Sequence, residues 1–132
     1  MKDVYSTEYD ALRQKGKPVM VCTSGAALLD REVCAYPMTD DFWIGKDPSQ
    51  CLLYIPSCSV SSKHCHVFYD ASQKCYMAET GSNYGMEVDG RMLFQEDAPV
   101  ILHHGSVLWL GNKDSFIFLE PLKRKSFFAG KG

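Results

Sequence analysis

The sequence has no long hydrophobic run. No apolar stretch approaches the about 18 residues that a membrane-spanning helix needs. The first 17 residues, MKDVYSTEYDALRQKGK, lack the apolar core of a secretory signal peptide. We therefore expect a soluble, intracellular protein that has no membrane partner.

The sequence also lacks a marked excess of one charge. Fourteen Lys and Arg residues against 16 Asp and Glu residues give a net charge of −2, which excludes the strong basic excess of a protein that coats nucleic acid. The C-terminal stretch KRKSFFAGKG is basic, but its four cationic side chains are too few for a strong nucleic-acid footprint. We therefore expect no nucleic-acid partner.

The six cysteines form no CxxC pair, so the usual cysteine framework of a zinc site is absent. They lie in apolar or strand-like runs, and without a signal peptide nothing points to an oxidising compartment. We predict free thiols that pack as small hydrophobic side chains. The six are Cys22, Cys34, Cys51, Cys58, Cys65 and Cys75.

The size and composition suit one globular domain, with 132 residues of which 45% are hydrophobic and 23% are charged. Residues 1–17 are a polar N-terminal extension, in which TEYDALRQKG predicts a short helix that begins at Ser6 or Thr7 and ends at Gly16. Residues 18–122 form the domain, and residues 123–132 are a basic C-terminal tail.

Within the domain, short β-forming runs are separated by polar turns such as KDPSQ, DASQ, GSNYG and GNKD. Apolar and polar residues alternate within 66–69 and 107–110, as half-buried strands require. Strands at intervals of about 8–12 residues predict an all-β sandwich or barrel. The runs are VMVC (19–22), FWIG (42–45), CLLYI (51–55), HCHVFY (64–69), KCYMAE (74–79), MEVDG (86–90), PVILHHG (99–105), SVLWLG (106–111) and SFIFLE (115–120).

The segment VSSKHCH combines groups that could bind a metal or attack an ester. His64 and His66 could bind zinc with two further histidines, but no CxxC or HxxxH spacing supports such a site. Ser61 and His64 could be a nucleophile and its base, but no GxSxG elbow is present. We therefore predict no metal site and no catalytic residue.

Phosphate is the third possible ligand of this segment. Serine hydroxyls, lysine ammonium groups and loop amides are the donors that bind phosphate oxygens. If the loops meet at one end of a sandwich they form a cup of donors, whereas each loop alone is an ordinary polar turn. The candidate donors lie in three loops: Lys46; then Ser61, Ser62 and Lys63; then Ser82 and Asn83.

Four motifs follow in order: Gly45-Lys46, VSSKH (60–64), GSNYG (81–85) with VDG (88–90), and LHHGSVLWLG (102–111) before FIFLE (116–120). Their order and spacing resemble the forkhead-associated (FHA) domain, whose signature reads GR, an SRxH-like loop, GSxNG with a VNG turn, and a GDxxxLG-like strand entry. The resemblance covers roughly residues 18–120. It implies a two-sheet β-sandwich of FHA type (SMAD/FHA-like), whose loops at one end recognise phosphothreonine peptides.

The resemblance assigns roles in the first two loops. Gly45 matches the glycine of GR, and Lys46 stands at the arginine, where it supplies charge without a planar fork. Ser61 matches the serine whose hydroxyl contacts phosphate. Ser62 stands where a basic residue is common, and Lys63 compensates for the missing charge if its side chain reaches the phosphate.

In the remaining motif positions, His64 matches a histidine that has an architectural role. Gly81, Ser82 and Gly85 match the structural positions of the third loop, and Gly85 is expected at positive φ. Asn83 stands at a common threonine and can still donate to phosphate. Tyr84 replaces the asparagine that holds the peptide backbone, and a phenol lacks the paired donor and acceptor of a carboxamide.

We therefore predict a protein-interaction module that recognises a phosphothreonine-containing peptide of a partner protein. Each charged donor lost from such a pocket costs on the order of 1.5–3 kcal/mol, which favours weak binding. The alternative is the same fold with a vestigial pocket, used as a phosphate-independent interaction or dimerisation scaffold. Neither function needs a cofactor. By analogy with signalling proteins that carry this domain, we expect a nuclear rather than a cytoplasmic location.

Overall fold

The computed structural model describes Arg13, residues 16–28 and residues 32–122, and eleven β-strands lie within this part of the chain. The strands are β1 Val19–Ser24, β2 Cys34–Pro37, β3 Asp41–Gly45, β4 Leu53–Tyr54, β5 Cys65–Asp70, β6 Cys75–Thr80, β7 Met86–Val88, β8 Arg91–Leu93, β9 Val100–Leu102, β10 Val107–Trp109 and β11 Ser115–Leu119.

The ends of the chain fall largely outside the described residues. The tail predicted at 123–132 lies outside them, as does most of the helix predicted in the N-terminal extension. Gly16 has a φ of +79° and donates its N–H to the Arg13 carbonyl at 3.0 Å. This is the geometry expected of a glycine that ends a helix.

The strands form two sheets. The six-stranded sheet has the order β2-β1-β11-β10-β7-β8, and the five-stranded sheet has the order β4-β3-β5-β6-β9. The recorded strand pairs are antiparallel except for β3 with β4. The all-β, two-sheet fold predicted from the sequence is thus confirmed.

Alternation of side chains builds the core between the sheets. In β5, Cys65 and Val67 are fully buried, whereas the intervening His66 lies on the opposite face, where it stacks with Trp43. In β11, Phe116 and Phe118 are fully buried and belong to the main core cluster. Truncation of either phenylalanine to Ala is expected to cost about 3–5 kcal/mol of folding free energy.

Two strands were missed in the sequence. β2 (Cys34–Pro37) lies at a sheet edge, where its proline needs no ladder partner, and its three other residues are all half-buried rather than alternating. β8 (Arg91–Leu93) pairs with β7 across a tight turn in which Asp89 and Gly90 both have positive φ. Neither strand alternates buried and exposed residues, so neither carries a periodic signal.

All six cysteines are free thiols in the structure, as predicted. Three are buried and behave as small hydrophobes: Cys22, Cys51 and Cys65. Burial raises the pKa of the Cys22 thiol to about 11. Cys58 differs from the expectation, because it lies exposed in a turn rather than in a strand. Within the described part of the chain, no helix is long and apolar enough to cross a membrane.

Candidate functional site

Strand register brings the three predicted loops to one end of the sandwich. Ile44, near the end of β3, lies opposite Cys65 at the start of β5, and Cys65 lies opposite Thr80 at the end of β6. The loop after β3, the loop before β5 and the loop after β6 therefore leave the sheet at the same edge. The sequence motifs in these loops are adjacent in space as a consequence of antiparallel pairing.

The three loops enclose a cleft of about 550 Å³. All six residues predicted to contact a phosphopeptide line this cleft, although their binding of a peptide stays a prediction. The lining residues are Lys46, Cys58, Val60, Ser61, Ser62, Lys63, Gly81, Asn83, Tyr84 and Gln95.

Backbone hydrogen bonds lock the first loop to the second. The Lys46 N–H donates to the Ser61 carbonyl at 3.0 Å, and the Asp47 N–H donates to the Ser62 carbonyl at 3.1 Å. A Cβ atom at Gly45 would lie 2.3 Å from the Ser62 carbonyl oxygen. The two loops approach this closely only because Gly45 has no side chain, and this approach places Lys46 beside Ser61.

His64 joins the second loop to the third. It is fully buried, its Nδ1 accepts the Ser61 N–H at 3.0 Å, and its Nε2 lies 2.8 Å from the Gly85 carbonyl. These partners require a neutral ring with the proton on Nε2. Burial lowers the pKa of His64, which also favours the neutral form. Both ring nitrogens are bonded to the backbone, so the ring is placed as a scaffold and not as a base for Ser61.

The Ser61 hydroxyl is bonded to a second hydroxyl group, that of Ser82 in the third loop. Ser61 Oγ lies 2.8 Å from the Oγ of buried Ser82, which accepts the Tyr84 N–H at 3.0 Å. The Ser82 N–H in turn donates to Thr80 Oγ1 at 3.1 Å. If Ser82 donates its proton to Ser61, the buried Ser82 hydroxyl both donates and accepts, and the Ser61 O–H stays available for another acceptor.

Gly81 begins the third loop and Gly85 ends it. Gly85 has a φ of +83°, as predicted, and a Cβ there would lie 2.7 Å from the Leu93 carbonyl oxygen. The Gln95 side-chain amide donates to the Gly81 carbonyl at 2.7 Å and thereby joins the cleft wall. Sequence reasoning missed Gln95, because it follows β8, which was itself missed.

Tyr84 stands between two clefts. It lines the polar cleft and also a neighbouring, largely apolar cleft of about 430 Å³. Tyr84 is 70% exposed, so it forms a ridge and does not fill the polar cleft. The second cleft is lined by Cys58, Ser59, Tyr84, Gly85, Met86, Glu87, Met92, Trp109, Leu110, Gly111 and Asn112.

Two lysines give the polar cleft its positive charge. Lys46 is exposed, and the Lys63 ammonium lies 4.6 Å from the centre of the Trp43 ring. The neighbouring Asp47 carboxylate accepts the Ser49 hydroxyl at 2.7 Å and its N–H at 3.0 Å, and these bonds lower the Asp47 pKa. Asp47 is thus held by its own loop and is not among the residues that line the cleft, but its carboxylate also attracts the Lys63 ammonium, which lowers the Asp47 pKa further.

The histidines of VSSKHCH have different surroundings. His66 lies on the outer face of the five-stranded sheet, with Nδ1 2.7 Å from Glu79 and Nε2 2.8 Å from Asp41. His64 instead contacts backbone groups of the loops. In the described part of the chain, no group of three or more His, Cys, Asp or Glu side chains is arranged to hold a metal ion.

Fold and cleft together define a β-sandwich whose end loops form a basic, hydroxyl-bearing pocket. The family model of the FHA domain matches residues 42–111, just over half of the chain, and the chain therefore belongs to the FHA domain family. No curated protein sequence matches the chain.

Solved structures of FHA domains share the fold. The FHA domain of an Arabidopsis thaliana hypothetical protein is 20% identical with a TM-score of 0.68, over 84% of this chain and 91% of that one. The FHA domain of CT664 from Chlamydia trachomatis is 19% identical with a TM-score of 0.62, over 79% and 97%. The N-terminal FHA domain of S. cerevisiae Rad53p, solved with a phosphothreonine peptide, is 12% identical with a TM-score of 0.64, over 79% and 93%.

Proposed function

We propose that this domain is a protein-interaction module that binds a phosphothreonine-containing peptide in the polar cleft. The observation that carries the proposal is the convergence of two lysines and a supported serine hydroxyl in one cleft of about 550 Å³. The N-terminal FHA domain of Rad53p has been solved with a phosphothreonine peptide, and membership of the same domain family supports the proposal for this chain. Modules of this family bind partners and are not enzymes.

The cleft supplies the interactions that a phosphate group needs. Phosphothreonine carries a charge of about −1.5 to −2 and three strong acceptor oxygens. Lys46 and Lys63 both line the cleft and supply opposite charge, and the Ser61 hydroxyl supplies a directed hydrogen bond. Because an ammonium group is a point charge and not a planar fork, we expect weaker orientation of the phosphate than an arginine would give.

The rim of the cleft is suited to the peptide chain. Ser62, Asn83 and Tyr84 are exposed there, and the Asn83 amide offers both a donor and an acceptor to a peptide group. Tyr84 provides a wall rather than a carboxamide clamp. We therefore propose that the phosphate supplies most of the affinity and that the rim of the cleft orients the peptide.

A degenerate phosphothreonine peptide library, followed by titration of the best peptide, tests the proposal. Lys46→Gln and Ser61→Ala each remove one donor and are expected to weaken binding about ten- to a hundredfold. Lys74→Gln is the matched control, because Lys74 lies in the turn between β5 and β6, at the opposite end of the sheet. We expect it to change the Kd less than about twofold.

Two results would contradict the proposal. One is equal binding of the phosphorylated and the unphosphorylated peptide, and the other is no binding up to millimolar peptide. Either result would favour the phosphate-independent scaffold, and the search for a partner would move to the faces of the two sheets.

A further inference from the structure

Lys63 lines the cleft, and its side chain contacts Trp43, a residue that does not line the cleft. Its ammonium nitrogen lies 4.6 Å from the centre of the Trp43 ring, within the range of a cation–π interaction. The Trp43 ring also lies against the third loop, since a Cβ at Gly81 would be 3.2 Å from its Cζ3 atom. Trp43 therefore lies where the cleft wall meets the outer face of the five-stranded sheet.

Trp43 is itself held on that face. His66 is its register partner in β5, and the two rings stack at 4.6 Å with an angle of 10° between their planes. The imidazole is fixed by its contacts with Glu79 at 2.7 Å and Asp41 at 2.8 Å. Phe68 continues the stack, with its ring centre 4.9 Å from that of His66. The Trp43 ring is thus a supported platform.

We propose that Trp43 is a positioning residue that presents the Lys63 ammonium to the phosphate of a bound peptide. The inference rests on the function proposed above. A lysine side chain has four rotatable bonds, and a free lysine must be ordered when the ligand binds. A cation–π contact orders it beforehand and leaves N–H groups on the side away from the ring for phosphate oxygens. Lys63 thereby replaces the basic residue that is missing at Ser62.

The experiment must distinguish this proposal from the alternative in which the contact with Trp43 weakens phosphopeptide binding. If the phosphate had to pull Lys63 off the ring, the contact with Trp43 would compete with the ligand. Removal of the ring would then strengthen binding. Under the proposal it weakens binding, and it does so only when Lys63 carries its charge.

A double-mutant cycle tests the coupling, with the library-selected phosphothreonine peptide as the probe. Trp43→Leu removes the ring, Lys63→Met removes the charge but keeps an unbranched side chain, and the double variant closes the cycle. We expect Trp43→Leu to raise the Kd about three- to tenfold in the wild-type background and less than about twofold beside Lys63→Met. Trp43→Phe keeps an aromatic face and is expected to recover most of the affinity.

The contact itself can be measured without a ligand. We expect ring currents of Trp43 to shift the NMR signals of the Lys63 ε-methylene protons upfield, and we expect Trp43→Leu to remove this shift. Thermal unfolding shows whether each variant is folded. If Trp43→Leu does not fold, the cycle is run with Trp43→Met, which also removes the aromatic face and for which we expect the same coupling of about three- to tenfold.

The outcomes are distinct. An equal loss in both Lys63 backgrounds, a gain in affinity, or the absence of a ring-current shift overturns the role of Trp43 while the proposed function stands. Failure of the wild type to bind any phosphothreonine peptide overturns both. Coupling between Trp43 and Lys63 that is seen with the phosphorylated peptide, together with the ring-current shift, supports the proposal.

Discussion

Replacement of His64 by Leu should separate the scaffold of the cleft from its ligand-binding groups. Leu is close to His in volume, so the main effect of the change is the loss of two hydrogen bonds, while most of the packing is kept. The partners that remain are the Ser61 N–H, at 3.0 Å from Nδ1, and the Gly85 carbonyl, at 2.8 Å from Nε2. Each belongs to a different loop, and the His64 side chain joins the two loops in addition to the hydrogen bond between the Ser61 and Ser82 hydroxyls.

The cost follows from the groups left without a partner. A buried donor or acceptor that loses its hydrogen bond costs about 1–3 kcal/mol. The bond to Gly85 is buried and the bond to Ser61 is partly buried, so the second group regains some hydration. We therefore expect His64→Leu to lower the free energy of unfolding by about 3 kcal/mol, a large part of the roughly 5–15 kcal/mol that stabilises a typical domain.

Urea denaturation measures this loss as a shift of the midpoint at constant slope. With a slope of about 1–3 kcal/mol per molar urea, the midpoint should fall by about 1–3 M. His103→Leu is the matched control, because His103 is exposed and the same chemical change there should stay within about 0.5 kcal/mol. If the two variants unfold at the same urea concentration, His64 does not hold the loops together and the argument fails.

Three further predictions follow from the same contacts. Burial lowers the pKa of His64 from 6.5, so the contribution of neutral His64 to the free energy of unfolding should be fully present above about pH 6.5 and be lost as the pH falls. The urea midpoints of wild type and His64→Leu should therefore differ at about pH 7.5 and converge at about pH 5.5. Gly45→Ala should lower the free energy of unfolding by at least about 2 kcal/mol, because the new Cβ would lie 2.3 Å from a carbonyl oxygen. Gly90→Ala, whose Cβ would meet no atom within 4 Å, should lower it by only about 1 kcal/mol because of its positive φ, and thermal unfolding measures both changes. Alkylation followed by mass spectrometry should label exposed Cys58 in the native protein before Cys22, and all six thiols after denaturation without a reductant; any thiol that needs a reductant would refute the free-thiol assignment.

The fold was predictable because its strands carry a periodic signal. β10 alternates exposed and buried residues, β5 alternates buried and half-buried residues from Cys65 to Phe68, and polar turns bound both strands. β2 and β8 were missed for physical reasons: β2 ends in a proline and has three half-buried residues in a row, and β8 has two exposed residues before its one buried residue, so neither alternates. Their pairing depends on the neighbouring strand and on a positive-φ turn, and neither feature shows in the periodicity of a short run.

The cleft was predictable in part, because its motifs mark places where backbones approach closely. Gly45, His64 and Gly85 were assigned as structural positions, and the structure places each at an inter-loop contact. Gln95 and Trp43 were not found. Each lies far from its partner loop in sequence, and the tertiary fold alone brings them together. No local pattern could have predicted the contact between Lys63 and Trp43.

The residues that join the loops differ from the residues at the rim of the cleft, and this difference limits what a sequence motif can say about a ligand. The residues that join the loops are buried, and each satisfies backbone groups, so a change there costs folding free energy. Lys46, Asn83 and Tyr84 are exposed, and a change there costs little stability. A sequence can therefore keep the pattern that specifies the cleft while the chemistry of its rim changes. Under the proposed function, affinity for a phosphopeptide then depends on how the remaining donors are held. These donors are Ser61, whose hydroxyl is bonded to that of Ser82, and Lys63, whose ammonium lies over the Trp43 ring.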